Sequence, residues 1–340
     1  MSSKALPGNL AELQKTQYMQ QLNITYLVST LGRTGPTNQL LNLISRLDKS
    51  KLSTRIVTIS NEPPDSRVLE FKALGVPVCS LNLSRINAIL LGPRRLRGLL
   101  KIHPADVVHS QGIRADFLNS TLKFPTARIA TQRNDPFHDY PMLFGQVIGS
   151  TMAQAHSAIL RRIPKVVACS YSIEASNRLR RITSITIQNG IDAQKGYIVS
   201  SGEKDKKRKK LNLPQDEILF VSAAPLIDRK NPIELIRAFG EAHGKKRRHL
   251  VLLGNGPLLQ AAKRLASQCS NISLKGKVTD VDEYLEVADC FVSASLSEGL
   301  PNSVIEALAW GLPIILSDIP AHREIQQIEK RSGDLFPVQN

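Results

Sequence analysis

The chain has few of the residues that build disulfide frameworks, zinc sites or base-stacking surfaces. Its 340 residues include four cysteines and one tryptophan, and aromatic residues make up 5%. Cys79, Cys169, Cys269 and Cys290 lie far apart, form no Cys-x-x-Cys pair and have no histidine at zinc-ligand spacing. We therefore predict that all four are reduced thiols in the core of a cytoplasmic protein and hold no zinc.

Long apolar stretches are also missing. The first twenty residues lack the apolar segment of a secretory signal. No uncharged apolar run approaches the length of about 18 residues that a membrane-spanning helix needs. From these two features we predict a chain that is neither exported nor threaded through a membrane.

Acidic residues are scarce in the first part of the chain. Residues 1–200 carry 25 Lys and Arg against 11 Asp and Glu, whereas residues 201–340 carry 20 against 18. Such an excess favours an anionic partner: nucleic acid, an acidic membrane surface or a phosphate-bearing substrate. Nucleic acid is the least favoured, because no aromatic residues interleave with basic clusters such as "GPRRLRGLLKIH". Simple solubility also explains the charge, so the other readings stay open.

Strand-like and helix-like segments alternate along almost the whole chain, which is typical of parallel sheets covered by helices on both faces. The length suits two such domains better than one. Strands are predicted at 23–29, 54–60, 106–110, 127–132, 165–170 and 184–190, and then at 217–223, 249–254, 272–276, 289–295 and 313–318. We predict two doubly wound α/β domains, residues 1–195 and 196–340, that face each other across a cleft.

The alternation lapses at residues 192–217, which we predict to be the interdomain connection. This segment contains the basic run "EKDKKRKK". The run could be a membrane or nucleic-acid patch, but a solvated helix that opens the second domain is favoured.

Ligands of such sheets bind at the carboxyl ends of the strands, so the loops that follow strands hold the candidate site. In the first half, Gly32 and Gly35 form a turn ahead of a helix, without the G-x-G-x-x-G spacing of a dinucleotide loop. His109 lies at a strand end and is either structural or functional. A polar cluster after the next strand resembles a substrate rim and contains Arg133, Asn134, Asp135, His138 and Asp139.

In the second half, Arg229 and Lys230 precede a helix and favour a diphosphate site. The pair Asp280 and Asp282 could recruit a metal ion, but helix capping is favoured. Glu298 and Glu306 lie on either side of a helix start in "SEGLPNSVIEALAWG". The amides of that helix start could donate to phosphate or sugar hydroxyls, and the two glutamates could contact different parts of one extended ligand.

The segment "SEGLPNSVIEALAWGLPIILSDIPAHREI" resembles the signature of retaining glycosyltransferases of family 4, in which two glutamates are separated by seven residues. Supporting matches follow the family's order along the chain: "GRTGPTNQLLNLISRL", "DVVHSQG", "IQNGID", "LIDRKNPIELIRAF", "LLGNGPL" and "LKGKVTDVDEYLEVADCFVSAS". The resemblance implies a GT-B fold of two Rossmann-like domains. It also implies transfer of a sugar from a nucleotide diphosphate sugar to an acceptor hydroxyl, with retention, no cofactor and no essential metal.

The resemblance also assigns roles to individual residues. Lys230 would bind the diphosphate, Glu306 the ribose hydroxyls and Glu298 the donor sugar, while His109 would approach that sugar from the first domain; His109, Glu298 and Lys230 form the predicted catalytic group. The other residues implied in donor binding are Gly299, Leu300, Pro301, Asn302, Lys277, Val278 and Arg229. The predicted acceptor or phosphate loop comprises Gly32, Arg33, Gly35, Arg133, Asp135 and His138.

Two features depart from the family pattern. Pro225 stands where the family commonly has an arginine, so one phosphate contact has to come from Arg229 or another cation. Family members usually continue past the segment "SGDLFPVQN" with a helix that crosses back to the first domain, so we expect weaker domain coupling in this chain.

We predict a cytoplasmic glycosyltransferase, peripheral on the inner face of the cytoplasmic membrane, that acts in surface polysaccharide assembly. Its partners would be a nucleotide-sugar donor (UDP- or GDP-linked), a lipid-linked or oligosaccharide acceptor and an anionic membrane surface. Two alternatives stay open: a nucleotide-sugar epimerase of related fold, and a non-catalytic homologue that binds sugar nucleotide.

Overall fold

The computed structural model describes residues 21–123, 125–191, 200–241, 247–328 and 330–338. These residues form two parallel sheets flanked by helices. The predicted domain boundary at 195–196 lies outside the described residues and stays a prediction.

The first sheet has seven parallel strands in the order β3-β2-β1-β4-β5-β6-β7. The strands are β1 (Leu22–Val28), β2 (Leu52–Thr58), β3 (Val78–Ser80), β4 (Val107–Gln111), β5 (Ala127–Gln132), β6 (Lys165–Ala168) and β7 (Ser184–Thr186). The helices are α1 (Gly35–Ser45), α2 (Val68–Ala73), α3 (Arg85–Leu90), α4 (Gly92–Ile102), α5 (Ile113–Ser120), α6 (Pro136–Phe144), α7 (Gln146–Leu160) and α8 (Tyr171–Leu179).

The second sheet has six parallel strands in the order β10-β9-β8-β11-β12-β13. The strands are β8 (Ile218–Ala223), β9 (Arg248–Leu253), β10 (Ile272–Gly276), β11 (Cys290–Ser293), β12 (Ile314–Ser317) and β13 (Gly333–Phe336). The helices are α9 (Ser201–Lys210), α10 (Pro232–Glu241), α11 (Leu259–Ala266), α12 (Asp282–Leu285), α13 (Asn302–Ala309) and α14 (Pro320–Ile328), and 3₁₀ turns occupy Asp228–Lys230 and Lys330–Ser332.

Every predicted strand is present, and the strands inside the sheets are largely buried, whereas β7 and β10 are edge strands with little burial. Periodicity missed β3 and β13, which have three and four residues and lie at sheet edges. An edge strand pairs on one side only, so its sequence needs less apolar character.

The basic run at 203–210 forms α9 and packs on the second domain. Lys204 pairs with Asp289 at 2.7 Å, Lys207 pairs with Glu286, and the buried Arg208 reaches both Asp289 and the carbonyl of Val287. These pairs neutralise Lys204, Lys207 and Arg208, whereas Lys206, Lys209 and Lys210 stay exposed, as predicted for a solvated helix.

The two domains share part of one apolar core. Ala168, Cys169 and Ile173 of the first domain pack in one buried cluster with Leu300 and Ile325 of the second. All four cysteines are free. Within the described residues, no helix combines the length and apolar character needed to cross a bilayer. The packed core holds the carboxyl ends of both sheets against a common cleft.

Candidate active site

The cleft between the domains has a volume of about 960 Å³ and is lined by loops that follow strands of both sheets. Those loops come after β1, β5 and β7 in the first domain and after β8, β9, β10 and β11 in the second. The predicted site residues that line it are Arg33, Gly35, Arg133, Arg229, Lys230, Lys277, Val278, Glu298, Gly299, Leu300, Pro301, Asn302 and Glu306.

Glu298 forms ion pairs with two cations on the second-domain side of the cleft. Its buried carboxylate contacts Lys230 Nζ, lies 3.2 Å from Arg229 Nη1 and accepts a hydrogen bond of 2.7 Å from Ser295 Oγ. Burial alone would raise the pKa of Glu298, but the charges of Lys230 and Arg229 outweigh it and lower the pKa to about 2. Glu298 therefore stays ionised and holds both cations at the cleft.

Asp139 extends this charge network into the first domain. Its buried side chain lies 3.6 Å from Arg229 Nε and accepts hydrogen bonds from Ser297 Oγ at 2.6 Å and Asn134 Nδ2 at 2.9 Å. The contact with Ser297 joins α6 of one domain to the Glu298 loop of the other. Asp139 appeared in the predicted rim, but nothing in the sequence indicated a bridge between domains.

The loop before α13 supplies backbone donors next to these cations. Pro301 is the N-cap residue and no side chain caps the helix, so the amides of Asn302 and Ser303 precede the first intrahelical hydrogen bonds. Both residues line the cleft, as does Glu306 farther along the helix. This end of α13 carries partial positive charge and suits an anionic or hydroxyl-rich ligand.

Asn302 forms three hydrogen bonds with residues on the other side of the cleft. Its Oδ1 accepts hydrogen bonds from Gln39 Nε2 at 3.1 Å and from Asn189 Nδ2 at 2.8 Å, and its Nδ2 donates to the carbonyl of Gly35 at 3.3 Å. Asn189 Nδ2 also reaches the carbonyl of Leu300 at 3.0 Å. The start of α1 is therefore held against the start of α13 in the second domain.

A second bridge lies behind the cleft at Glu324 of α14. Its carboxylate accepts hydrogen bonds from the amides of Tyr171 at 2.9 Å and Ser172 at 3.0 Å, and from Gln188 Nε2 at 2.6 Å. Because Tyr171 and Ser172 begin α8, the second domain caps a helix of the first. The described residues thus join the two domains directly, and the weaker coupling expected from the sequence stays a prediction.

Gly299 lies where the two backbones come closest. A Cβ atom at this position would stand 1.9 Å from the carbonyl oxygen of Arg133 and 3.1 Å from Cys169 Sγ. A carbonyl oxygen of the main chain cannot move aside as a flexible side chain can. Only glycine therefore fits here while the cleft has this shape.

His109 lies in the sheet behind the cleft and outside the described residues that line it. Its Nε2 is 2.7 Å from Thr131 Oγ1, and its ring packs on Tyr26. Burial, and secondarily the charge of Arg133, lower the pKa of His109 to about 4, so the imidazole is neutral at pH 7. Its predicted approach to a donor sugar stays a prediction.

Three other predicted residues lie away from the cleft walls. Gly32 pairs with Ser66 in an isolated antiparallel bridge. Asp135 is the buried N-cap of α6, accepts from the amide of Phe137 at 2.9 Å and binds Ser176 Oγ. His138 is exposed, and its Nδ1 lies 3.6 Å from Asp135 Oδ2. In this structure the Asp135 carboxylate caps α6, and the predicted place of Asp135 and His138 in an acceptor loop stays a prediction.

The remaining predictions concern a metal and Pro225. Asp280 Oδ1 accepts the amide of Asp282 at 2.9 Å, as a local cap does. No cluster of three or more metal-ligating side chains occurs in the described part of the chain. Pro225 lines the same cleft as Arg229 and Lys230. Cations are therefore present in the cleft although position 225 carries no arginine.

Comparison with known proteins identifies similar sequences and a similar fold. Residues 203–340 match the family model described as glycosyl transferases group 1. The chain is 35% identical to an uncharacterized glycosyltransferase, MJ1059 of Methanocaldococcus jannaschii, over 111 residues that cover 32% of this chain and 27% of the relative. It is 26% identical to the O-antigen biosynthesis glycosyltransferase WclY of Escherichia coli over 317 residues, which cover 89% and 82% respectively.

The fold matches a crystal structure of Anabaena HepE solved in complex with UDP and glucose, with a TM-score of 0.72, 15% identity and coverage of 90% of this chain and 83% of that one. At this identity the likeness concerns the fold alone. Residues 203–340, less than half of the chain, are thus similar to group 1 glycosyltransferases, and the two facing Rossmann-like domains confirm the predicted GT-B fold.

Proposed function

We propose that the chain is a retaining glycosyltransferase that transfers a sugar from a nucleotide diphosphate sugar to an acceptor hydroxyl in surface polysaccharide assembly. The observation that carries this proposal is the Glu298 carboxylate, which holds Lys230 and Arg229 beside the uncapped start of α13. Two relatives support it: WclY is named for O-antigen biosynthesis, and HepE was solved with UDP and glucose.

In this proposal the second-domain wall binds the donor. The diphosphate lies against Lys230 and Arg229, and Arg229 takes the place of the arginine absent at position 225. Both cations line the cleft and are held by one buried carboxylate, which preorganises them for an anion. Glu306 accepts from the ribose hydroxyls, and the backbone at Lys277 and Val278 lines the base.

The donor sugar lies between Glu298 and the α13 start, where the amides of residues 299–302 surround it. Glu298 is engaged with two cations, so it is unsuited to act as a covalent nucleophile. We therefore infer a front-face displacement, and we propose from the family resemblance that it needs no essential metal. The acceptor oxygen bonds to the anomeric carbon on the face from which the diphosphate departs, and the hydroxyl proton passes to the departing phosphate oxygen.

Donor binding is testable by thermal unfolding with UDP and GDP. A nucleotide at 100 times its dissociation constant is expected to raise the free energy of unfolding by about 2.7 kcal/mol. Glu306→Ala is expected to weaken that nucleotide about tenfold or more, because it removes a charged acceptor for two hydroxyls. Glu234→Ala, an exposed glutamate on α10, is the matched control. Equal affinity in both variants would disprove the ribose assignment.

A turnover assay with UDP- and GDP-sugars, run with and without a membrane extract, separates the proposal from its two alternatives. Nucleotide release that depends on the extract supports transfer. An epimerised donor would instead indicate an epimerase, and tight binding without turnover would indicate a non-catalytic homologue.

We also propose that the first domain lies on an anionic membrane, on the inner face of the cytoplasmic membrane. An apolar corner formed by Met142, Leu143, Phe144, Val147 and Ile148 is exposed at the junction of α6 and α7. No charged residue occurs from 140 to 160, and Leu143 also lines the cleft. An apolar corner on the basic half of the chain suits a surface with anionic headgroups and an acceptor attached to lipid.

Vesicle sedimentation tests this surface. Replacing both Val147 and Ile148, which are 80% and 61% exposed, by serine is expected to weaken binding to vesicles containing phosphatidylglycerol about tenfold or more. Leu179→Ser is the control, because Leu179 is 84% exposed on α8. Equal losses for the two variants, or equal binding to neutral vesicles, would show that the corner is not a membrane contact.

A further inference from the structure

Arg133 differs from the other cations of the cleft in its partners. Arg33 pairs with Glu70 at 2.7 Å, Lys277 with Asp65 at 2.5 Å, and Arg229 and Lys230 share Glu298. Among the described residues, no carboxylate lies within ion-pair distance of Arg133. Its Nε donates to Gln111 Oε1 at 3.4 Å and its Nη1 to Asn189 Oδ1, and both acceptors are neutral amides.

Arg133 is partly buried, and such a cation without a counter-charge is unfavourable, since it loses hydration and gains no opposite charge in return. Burial accordingly lowers the pKa of Arg133. In the described part of the chain its Nη2 makes no hydrogen bond, so the guanidinium keeps donors for a ligand of the cleft that it lines. An anion at this point would supply both the missing charge and the missing acceptors.

The position of Arg133 indicates whether that anion belongs to the donor or to the acceptor. Arg133 follows β5 of the first domain, and its carbonyl contacts the second domain at Gly299, where the proposed donor sugar begins. Asn189 Oδ1 accepts the hydrogen bond from Arg133 Nη1. Asn189 Nδ2 in turn donates to the carbonyl of Leu300 and to Asn302 Oδ1 of the same loop. The guanidinium thus lies on the first-domain side of the cleft, whereas Lys230 and Arg229 lie on the second-domain side.

We propose that Arg133 binds an anionic group of the acceptor, a phosphate ester or a carboxylate close to the hydroxyl that receives the sugar. The inference rests on the proposed function, which assigns the donor diphosphate to Lys230 and Arg229. A guanidinium held by two amides presents a planar fork that suits either oxyanion. The acceptor is accordingly a charged molecule, and Arg133 selects it over neutral sugars.

Calorimetric titration of nucleotide-loaded protein tests this assignment. The protein is first saturated with UDP or GDP, whichever stabilises it, so that Lys230 and Arg229 are occupied. Inorganic phosphate and glucuronate are then titrated separately into the parent protein, Arg133→Gln and Arg178→Gln. Arg178 is exposed on α8 and loses the same charge in the first domain, outside the cleft.

We expect one of the two probes to bind the parent and Arg178→Gln, and to bind Arg133→Gln about ten to a hundred times more weakly. Phosphate would identify a phosphate-bearing acceptor, and glucuronate a uronic acid. Equal binding to all three proteins, or no binding of either probe, overturns the proposal. A tenfold loss of nucleotide affinity in Arg133→Gln also overturns it, because the anion would then be the donor diphosphate.

The melting temperature of free Arg133→Met separates binding from a structural role. A cation placed for a ligand is uncompensated in the free protein, so its removal should leave the melting temperature unchanged or raise it. A fall of several degrees would show that the bonds to Gln111 and Asn189 serve the fold and would count against the proposal. Failure of any nucleotide to bind would refute the proposed function itself, and the acceptor assignment with it.

Discussion

Gly299→Ala is expected to lower kcat/KM for sugar transfer about a hundredfold while both sheets stay folded. The new Cβ would stand 1.9 Å from the carbonyl oxygen of Arg133, so the two walls of the cleft must separate. A misplacement of about 1 Å between reacting groups is enough for a loss of that size. The change is measured by steady-state kinetics, with circular dichroism to follow the fold.

Gly98→Ala is the control for this substitution. Gly98 lies inside α4 with open space around its Cα, so alanine there should be neutral or stabilising by up to about 1 kcal/mol. Full activity in Gly299→Ala would mean that the cleft works in a more open arrangement. Equal losses in both variants would mean that neither effect arises from closure of the cleft.

Glu298→Gln is expected to abolish transfer and to destabilise the second domain by about 3 to 5 kcal/mol. The substitution keeps the shape of the side chain but leaves Lys230 and Arg229 partly buried and without their shared counter-charge. Glu283→Gln is the control, because its pair with Lys210 is exposed and should contribute about 0 to 1 kcal/mol. Activity close to that of the parent would exclude Glu298 from the site.

The difference in stability between the parent protein and Glu298→Gln should depend on pH in a defined direction. The folded-state pKa of Glu298 is about 2, below its usual value of 4.5, so the carboxylate stabilises the protein above about pH 4.5. That contribution is lost as the pH falls from 4.5 through 2. The stability gap between parent and Glu298→Gln should therefore be constant from pH 6 to 8 and shrink below pH 4.5, which urea titrations at each pH would measure.

Strands and their carboxyl-end loops could be predicted from sequence because their causes are local. A short apolar run such as Ile314–Ser317 is largely buried in its sheet, and the loop that follows such a strand must lie at the ligand-binding edge. The second-domain residues Lys230, Glu298 and Asn302 were predicted for this reason and do line the cleft. The family resemblance added their separate roles.

The first-domain residues were harder to predict, because a polar side chain at a strand end has several competing uses. His109 turns into the sheet toward Thr131, and Asp135 caps α6, whereas Asp139, four residues later, crosses to Ser297. All three are polar residues near strand ends, and no local pattern separates them. Gln39, Asn189 and Glu324 likewise carry contacts between domains that span more than a hundred residues of sequence.

The sequence by itself determined the two parallel sheets, the loops where ligands bind and the pair of glutamates around the α13 start. Periodicity, glycine turns and helix-start chemistry act over a few residues and are therefore visible in the chain. Only the tertiary structure decided that Glu298 is held by Arg229 and Lys230, that Gly299 must lack a side chain and that Arg133 has no counter-charge among the described residues. Each of these depends on which atoms two distant loops bring within a few ångströms, because charge compensation and steric exclusion act through space and not along the sequence.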